Sequence, residues 1–464
     1  MSDLLDLSAR NVIQAFKTRQ LSPVEYMRAL IARVEACEPQ VNALWLFRPE
    51  QALAAARQAE ERYVQGAPMG PLDGVPVSVK ELIATKGDPI PQGTRATAEI
   101  PEPEDAPCAA RLREAGAIIF AKNTCPDFGM TSSGVSSFHG LTKNPWNLTK
   151  NCGGSSSGAG AAAAAGYGPL HVGTDIGGSI RIPAGWTGLF GFKPSLGRIP
   201  INPYYTGRVA GPMTRRVDDA ALMMAALSKP DRRDATSLPY EALDWDSPPA
   251  DVKGLKLGLM LDAGCGHPPD APVREAVERA ARAFEAAGAE IVPVPPVLTR
   301  EMLDGLDYAW RARFWGMIQK FPTAQRALVL PYIFDWAQQA ESASAVQVAE
   351  GFDQTFAMRR ATNAVFQGVD AILSPVNPNA DYPVDWNSPT NDPLRPFEHI
   401  CFTVAWNMGE QPACSVHCGF APSGVPIGLQ IVAPRFQDLR VFALARAFES
   451  LSTPITNWPR PGVI

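Results

Sequence analysis

Along the first 65 residues the apolar positions recur at intervals of three and four, the spacing of one helix face. Ser22-Pro23-Val24-Glu25 supplies an N-cap, a proline at the first helical position and an acid at the third. Tyr26, Leu30, Ile31 and Val34 follow at helical spacing. A second, alanine-rich helix is predicted over Gln51 to Tyr63. The period then changes. Val75-Pro-Val-Ser-Val79 alternates as a strand does and delivers Lys80 at its end. Ala117-Ile-Ile-Phe-Ala121 is a short apolar run, read as a buried strand after a helical Cys108–Ala115 segment. Alternating strand and helix signals through the first 200 residues predict an α/β fold with a largely buried sheet.

Residues 229–253 are rich in Asp, Pro and Ser and read as a linker or a long surface loop. Beyond them come a strand at Leu255–Leu261, an amphipathic helix at Ala271–Ala286 and a strand at Glu290–Val294. This βαβ-like unit is able to extend the same sheet, so it marks no domain boundary. Residues 301–366 read as helical and carry Trp310, Phe314, Trp315, Phe321, Tyr332, Phe334 and Trp336. Core packing is the first reading of these rings; lining an apolar substrate pocket is the second. A further strand is predicted at Asp370–Ser374, and the pattern contains no internal repeat.

Composition narrows the partners. The chain has 464 residues, 46% hydrophobic and 19% charged, which is enough apolar material for a large core. Length alone allows two or three domains or one large α/β unit. A net charge of −5 leaves no basic footprint, so neither nucleic acid nor an anionic membrane surface is expected as a partner. A small molecule is the default. The N-terminus lacks a basic segment followed by an apolar run, and no stretch is long and apolar enough to span a bilayer, so a cytoplasmic protein is expected. Eight cysteines in so long a chain fit reduced thiols rather than a disulfide framework. Cys414-Ser-Val-His417-Cys418 is half of a metal motif without a second pair, so no metal is expected there.

The chemistry concentrates in two serine-glycine clusters, Gly153-Gly-Ser155-Ser156-Ser-Gly158 and Gly173-Thr-Asp-Ile-Gly-Gly-Ser179, joined through the run Ala161–Ala165. Serines flanked by glycine sit where backbone N–H groups can converge on a reacting atom. Ser179 follows Ile176-Gly177-Gly178, whose successive N–H groups can form a nest around an oxygen. Lys80 ends an uncharged run, and a lysine desolvated beside hydroxyls can serve as a base. The residues alone leave it equally able to be a surface lysine. They also leave open a nucleophile elbow, since Gly154-Ser-Ser156-Ser-Gly158 fits G-x-S-x-G with His267, His399 or His417 as base. Gly158-Ala-Gly160 is too short for a dinucleotide fingerprint, and no phosphate-binding loop motif occurs.

Gly74–Lys80, Gly153–Gly158 and Gly173–Ala184 together resemble the signature elements of the amidase signature family. The similarity continues through Asn144–Asn147, Gly188–Pro194, Gly211–Val217, Asp234–Thr236, Asn407–Ala413 and Gly424–Gln430, nearly the whole chain. The resemblance implies a Ser–cisSer–Lys triad. Ser179 would be the nucleophile, and Ser155, after a cis peptide from Gly154, would relay its proton to neutral Lys80. The N–H groups of Ile176, Gly177, Gly178 and Ser179 would form the oxyanion hole, supported by Ser156, Thr174, Asp175 and Arg181. Met130, Thr131, Ser132 and Gly154 would border the substrate, with Trp186, Tyr204 and Tyr205 as further pocket candidates.

The implied fold is a single α/β/α domain over residues 1–464, built on a large twisted mixed sheet. Its core signature region covers about 70–220, and residues 301–366 lie at the substrate cleft. The implied reaction cleaves a linear C–N amide, or a related carbamate, urea or ester, through an acyl-enzyme. It uses no metal or organic cofactor, acts on a small-molecule amide and leaves a homodimer open. The apolar surroundings suggest an uncharged aryl or alkyl acyl group. Glu81 and Ser157 depart from the frequent aspartate and glycine of the pattern. Ile182 stands where the A subunits of tRNA-dependent amidotransferases usually carry glutamine, which favours a free-standing hydrolase over that alternative.

Overall fold

The strand that carries Lys80 is buried on both faces, and so are most of its neighbours, because helices cover the sheet on each side. The computed structural model describes residues 4–463. Among them, eleven strands form one mixed sheet: β1 (Leu44–Trp45), β2 (Pro76–Lys80), β3 (Ile118–Asn123), β4 (Leu170–Asp175), β5 (Phe190–Lys193), β6 (Val209–Thr214), β7 (Lys256–Leu259), β8 (Glu290–Pro293), β9 (Ala371–Pro375), β10 (Ala413–Phe420) and β11 (Pro426–Val432). Their order is β1-β3-β2-β4-β6-β5-β10-β11-β9-β7-β8. The outermost strand β8 is largely open to solvent, as its polar ends predict.

The parallel pairing of β2 with β4 brings the C-terminal ends of both strands to the same edge of the sheet. Lys80 ends one strand and Thr174-Asp175 ends the other. The carboxyl edge of parallel strands is where α/β folds bind ligands, since the following loops open there.

The two serine clusters are joined by the helix Ser157–Ala165, and every one of its residues is buried. Its glycines and alanines let it approach the sheet far more closely than branched side chains would. A Cβ at Gly158 would stand 2.2 Å from the Ala43 carbonyl oxygen and 2.3 Å from the Thr124 nitrogen. The first cluster therefore opens a helix clamped against β1 and β3.

Most predicted elements appear with shifted ends. Ser22 and Glu25 form a capping box for the helix Pro23–Val41, and the alanine-rich helix runs Pro49–Val64. The helix Ala271–Ala286 has its predicted limits, and β7 pairs in parallel with both β8 and β9, so this unit does extend the same sheet. Residues 229–253 contain no helix or strand, yet Trp245 folds back onto Phe442 with ring centroids 5.3 Å apart. The aromatic-rich region becomes three main helices, Arg300–Ile318, Pro331–Gln338 and Ala345–Ala364, with a short turn of helix at Thr323–Arg326. Trp315, Tyr332 and Trp336 are core residues. No helix among the described residues is long and apolar enough to cross a membrane.

Two glycines test the packing argument. Gly158→Ala should lose on the order of 1–3 kcal/mol, because its methyl would meet backbone on both sides. Gly316→Ala, in the helix Arg300–Ile318 with no atom within 4 Å of the added carbon, should gain about 0.5–1 kcal/mol. Urea unfolding midpoints of the two variants, moving in opposite directions, check both.

Candidate active site

Lys80 is wholly buried at the end of β2. Its Nζ donates to Ser155 Oγ at 2.8 Å, Thr174 Oγ1 at 3.0 Å and Ser156 Oγ at 3.2 Å. Burial pulls its pKa down to about 8 and Arg208 acts in the same direction, while Cys125, Asp175 and Glu81 oppose the shift. The surface-lysine reading is thereby excluded. Two other lysines are equally buried, but the Lys122 amine donates to the Ile83 carbonyl and to one hydroxyl, that of Thr85, and the Lys193 amine to the Pro194 carbonyl. Of the three, only the amine of Lys80 is ringed by hydroxyls.

The Gly154–Ser155 peptide is cis, as expected. Ser156 ties the two clusters together. Its Oγ donates to the Thr174 carbonyl and accepts from the Thr174 N–H, both at 3.2 Å, and its N–H donates to the Ser179 carbonyl at 3.2 Å. Ser156 bonds no histidine, so the elbow reading has no base. Ser157 begins the helix and donates its hydroxyl to the Thr124 carbonyl.

Asp175 shapes the loop that presents Ser179. Its carboxylate accepts from the Gly178 N–H at 2.8 Å and the Ile180 N–H at 3.1 Å. Arg181 adds Nη2 at 2.9 Å and Nε at 3.1 Å, and Asn407 adds Nδ2 at 2.8 Å. Burial alone would raise this carboxyl, but the Arg181 guanidinium and these donors hold it well below the usual carboxylate range. The Gly178 N–H is therefore spent on Asp175, which removes Gly178 from the expected oxyanion donors. The N–H groups of Ile176, Gly177 and Ser179 donate to no protein acceptor among the described residues.

A cavity of about 490 Å³ opens at this edge, lined by Ser155, Thr174, Ile176, Gly177 and Ser179. Met130, Ser132, Tyr204 and Tyr205 line it as expected. Three expectations need correction. Thr131 turns its hydroxyl onto Ser133 at 3.0 Å, away from the cavity wall. Gly154 packs against the Ser133 backbone, where a Cβ would lie 2.5 Å from the carbonyl oxygen. Trp186 is a core residue whose indole N–H donates to the Asn379 carbonyl and whose ring meets Tyr382.

The sequence reading missed Phe128, Gly129, Arg208, Arg313, Met317 and Ile400, all on the cavity wall. One signal was available: Trp310, Arg313, Phe314 and Met317 sit at i, i+3, i+4 and i+7, one face of the helix Arg300–Ile318. Trp310 and Phe314 thus answer to the pocket reading, while their aromatic neighbours answer to the core.

One group of metal-type donors exists among the described residues: Glu81, Cys125 and His139, with ligand atoms within 4.8 Å of one another. The Glu81 carboxylate already accepts from the Gln92 and Gly93 N–H groups, each at 2.7 Å, and meets His139 Nε2 at 2.8 Å. The arrangement is a brace that pins the loop beside Lys80. The longer reach of glutamate, compared with aspartate, is used here to span to that loop.

A family model described as Amidase matches residues 25–442. The A subunit of the glutamyl-tRNA(Gln) amidotransferase of Geobacter metallireducens is 35% identical, covering 96% of this chain and 97% of its own. An acylamidase of Rhodococcus erythropolis is 33% identical over 96% of this chain and 95% of its own. A solved bacterial aryl acylamidase of the amidase signature enzymes superposes with a TM-score of 0.89 at 30% identity, covering 96% of each chain. Agreement of this extent, from end to end and in both sequence and fold, means that the chain belongs to the amidase signature family and is a hydrolase acting on C–N amide bonds.

Proposed function

We propose that the protein is a free-standing amidase working through a Ser179 acyl-enzyme, with Ser155 and Lys80 as its proton relay. The observation that carries this reading is the buried Lys80 amine, with no acidic partner among the described residues, bonded at 2.8 Å to Ser155. Neutral Lys80 takes the Ser155 hydroxyl proton while Ser155 takes that of Ser179. The Ser179 oxygen bonds the carbonyl carbon, and charge gathers on the substrate oxygen. The N–H groups of Ile176, Gly177 and Ser179 receive it. As the C–N bond breaks, the proton returns from Lys80 through Ser155 to the leaving nitrogen. Water then attacks the ester and releases the carboxylate, restoring Ser179. Thr174 and Ser156 keep the amine aimed at Ser155, and Asp175 with Arg181 hold the loop that carries Ser179. Carbamates, ureas and esters present the same carbonyl geometry and belong in the substrate panel.

The relatives named as amidotransferase A subunits support a second reading, in which ammonia released from glutamine passes to a partner protein. Ile182 and the likeness to an aryl acylamidase favour the first. Co-purification with a second protein, together with strict dependence on glutamine as donor, would reverse that order.

Ser179→Ala should lower amide turnover by roughly 10⁴–10⁶-fold and abolish labelling by a fluorophosphonate. Retained labelling on another serine would remove Ser179 from the mechanism. The active form has neutral Lys80, so kcat/KM on amides should fall about tenfold per pH unit below a midpoint near 8 and level off above it. A profile flat down to pH 6 would contradict a lysine base. Lys80→Ala should impair anilide hydrolysis more than hydrolysis of the matching aryl ester, whose better leaving group needs no proton. Equal losses would mean that Lys80 acts on some other step.

A further inference from the structure

Two cations line the cavity, Arg208 and Arg313, and neither forms an ion pair among the described residues. Arg208 is half-buried immediately before β6. Its Nη1 donates to the Pro203 carbonyl at 2.8 Å and its Nη2 to the Leu82 carbonyl at 3.3 Å. Both acceptors are neutral, and three of the five guanidinium donors are left for something else. Arg313 projects from the same helix face as Trp310 and Phe314, and its guanidinium lies 3.4 Å from the centroid of the Tyr205 ring. The backbone N–H of Arg208 donates to the Tyr205 carbonyl at 2.9 Å, so the turn that carries Tyr205 also leads into Arg208, and both guanidinium groups line the one cavity.

Two like charges on one cavity wall, neither of them paired with a carboxylate, favour an anion that joins them there. Burial is the main cause that lowers the Arg208 pKa to about 10; Cys108 opposes the shift, and repulsion from Arg313 adds to it. The acids on the cavity wall do not relieve it. Asp105 is taken by Arg113 at 3.1 Å and Glu104 by Arg233 at 3.4 Å, while Glu102 forms no ion pair with either arginine. Ile176, Trp310, Phe314 and Ile400 supply apolar wall to the same cavity.

We propose that the cleft selects amides whose apolar body ends in a carboxylate, with Arg208 and Arg313 as the binding pair for that carboxylate. The inference rests on the reading of this cleft as the amide site and sharpens its substrate class by adding a charged end to the apolar body. A fork of guanidinium donors matches a carboxylate in geometry as well as charge, and the apolar residues of the wall suit the rest of the substrate. Repulsion between the arginines also gives the bound anion a larger role than a lone arginine would.

The test uses two matched pairs: succinanilate with its methyl ester, which places the charge on the acyl side, and 4-acetamidobenzoate with its methyl ester, which places it on the amine side. Calorimetric binding to the Ser179→Ala protein reads recognition without turnover. At least one acid should bind tenfold or more tightly than its ester, and the pair that does so identifies the side. Adding Arg313→Gln or Arg208→Gln should cut that preference at least fivefold, and Arg313→Lys should retain part of it. Arg313 is solvent-exposed, so its variants should fold normally. If both esters bind as well as their acids, or if the preference survives both glutamine variants, the carboxylate site is wrong. Release of aniline, 4-aminobenzoate or its methyl ester by the unmodified enzyme is scored separately. Its absence from all four compounds counts against the amidase reading and leaves the binding comparison to decide the arginine pair.

Discussion

The fully buried pair of Asp175 and Arg181 is the contact on which the site depends. Two charges removed from water are costly unless every donor and acceptor is met, and here they are met. Arg181 Nη1 reaches Gln430 Oε1 at 2.7 Å and the Thr403 carbonyl at 3.0 Å, while Nη2 also serves Asn407 at 2.6 Å. Gln430 in turn donates to Ser374 and to the Phe402 carbonyl. One network thus joins the ends of β4, β9 and β11 to the segment 402–407. Its effect on chemistry is indirect. By taking the Gly178 and Ile180 N–H groups, Asp175 fixes which way the neighbouring N–H groups of the loop face. Removing either charge alone would leave the other unpaired, at a cost of about 3–5 kcal/mol.

The same principle runs in reverse at Lys80. Its amine is as buried as Arg181 but is given hydroxyls in place of a carboxylate. Burial without a counter-ion favours the neutral form, and the neutral form is the one able to take a proton. The fold therefore separates two tasks. A satisfied ion pair provides rigidity, and an amine hydrogen-bonded to hydroxyls without a counter-ion is left in the state that the proposed proton relay needs. Glu81, next in the chain, does not undo this, because its carboxylate is committed to the Gln92 and Gly93 N–H groups and to His139.

Much of this was legible in the sequence because it rests on local signals. The Ser22 capping box, the alternation leading to Lys80 and the helix Ala271–Ala286 are each written in a few adjacent residues. The serine clusters were legible for the same reason. The strands β4, β5 and β6 were not individually visible, since Gly173, Gly191 and Gly211-Pro212 interrupt any alternation. Those glycines answer to neighbours distant in sequence: a Cβ at Gly211 would lie 2.0 Å from the Phe192 carbonyl oxygen. Trp186 failed as a pocket residue because burial in the core and proximity to the signature motifs look alike in one dimension. Gly178 failed as an oxyanion donor because its N–H partner is set by the turn of a five-residue loop, which no motif spells out.

The cleft wall was the least legible part, and the reason is topological. Arg208 reaches the site from the strand beside β4, and Arg313 from a helix more than a hundred residues later. Each has an ordinary reading by itself, as a loop cation or an exposed helix residue. Their meaning arises when the turn at Pro203–Tyr205 offers its Pro203 carbonyl to the Arg208 guanidinium and its Tyr205 ring to Arg313, on the wall of one cavity. Arg208 also presses on Lys80, lowering its affinity for a proton. A substrate anion that partly neutralises Arg208 therefore weakens one of the influences that keep Lys80 neutral, while burial, the larger influence, remains. In the proposed mechanism recognition and base strength are thus coupled through one guanidinium, so the cleft that chooses the substrate also adjusts the base that activates the nucleophile.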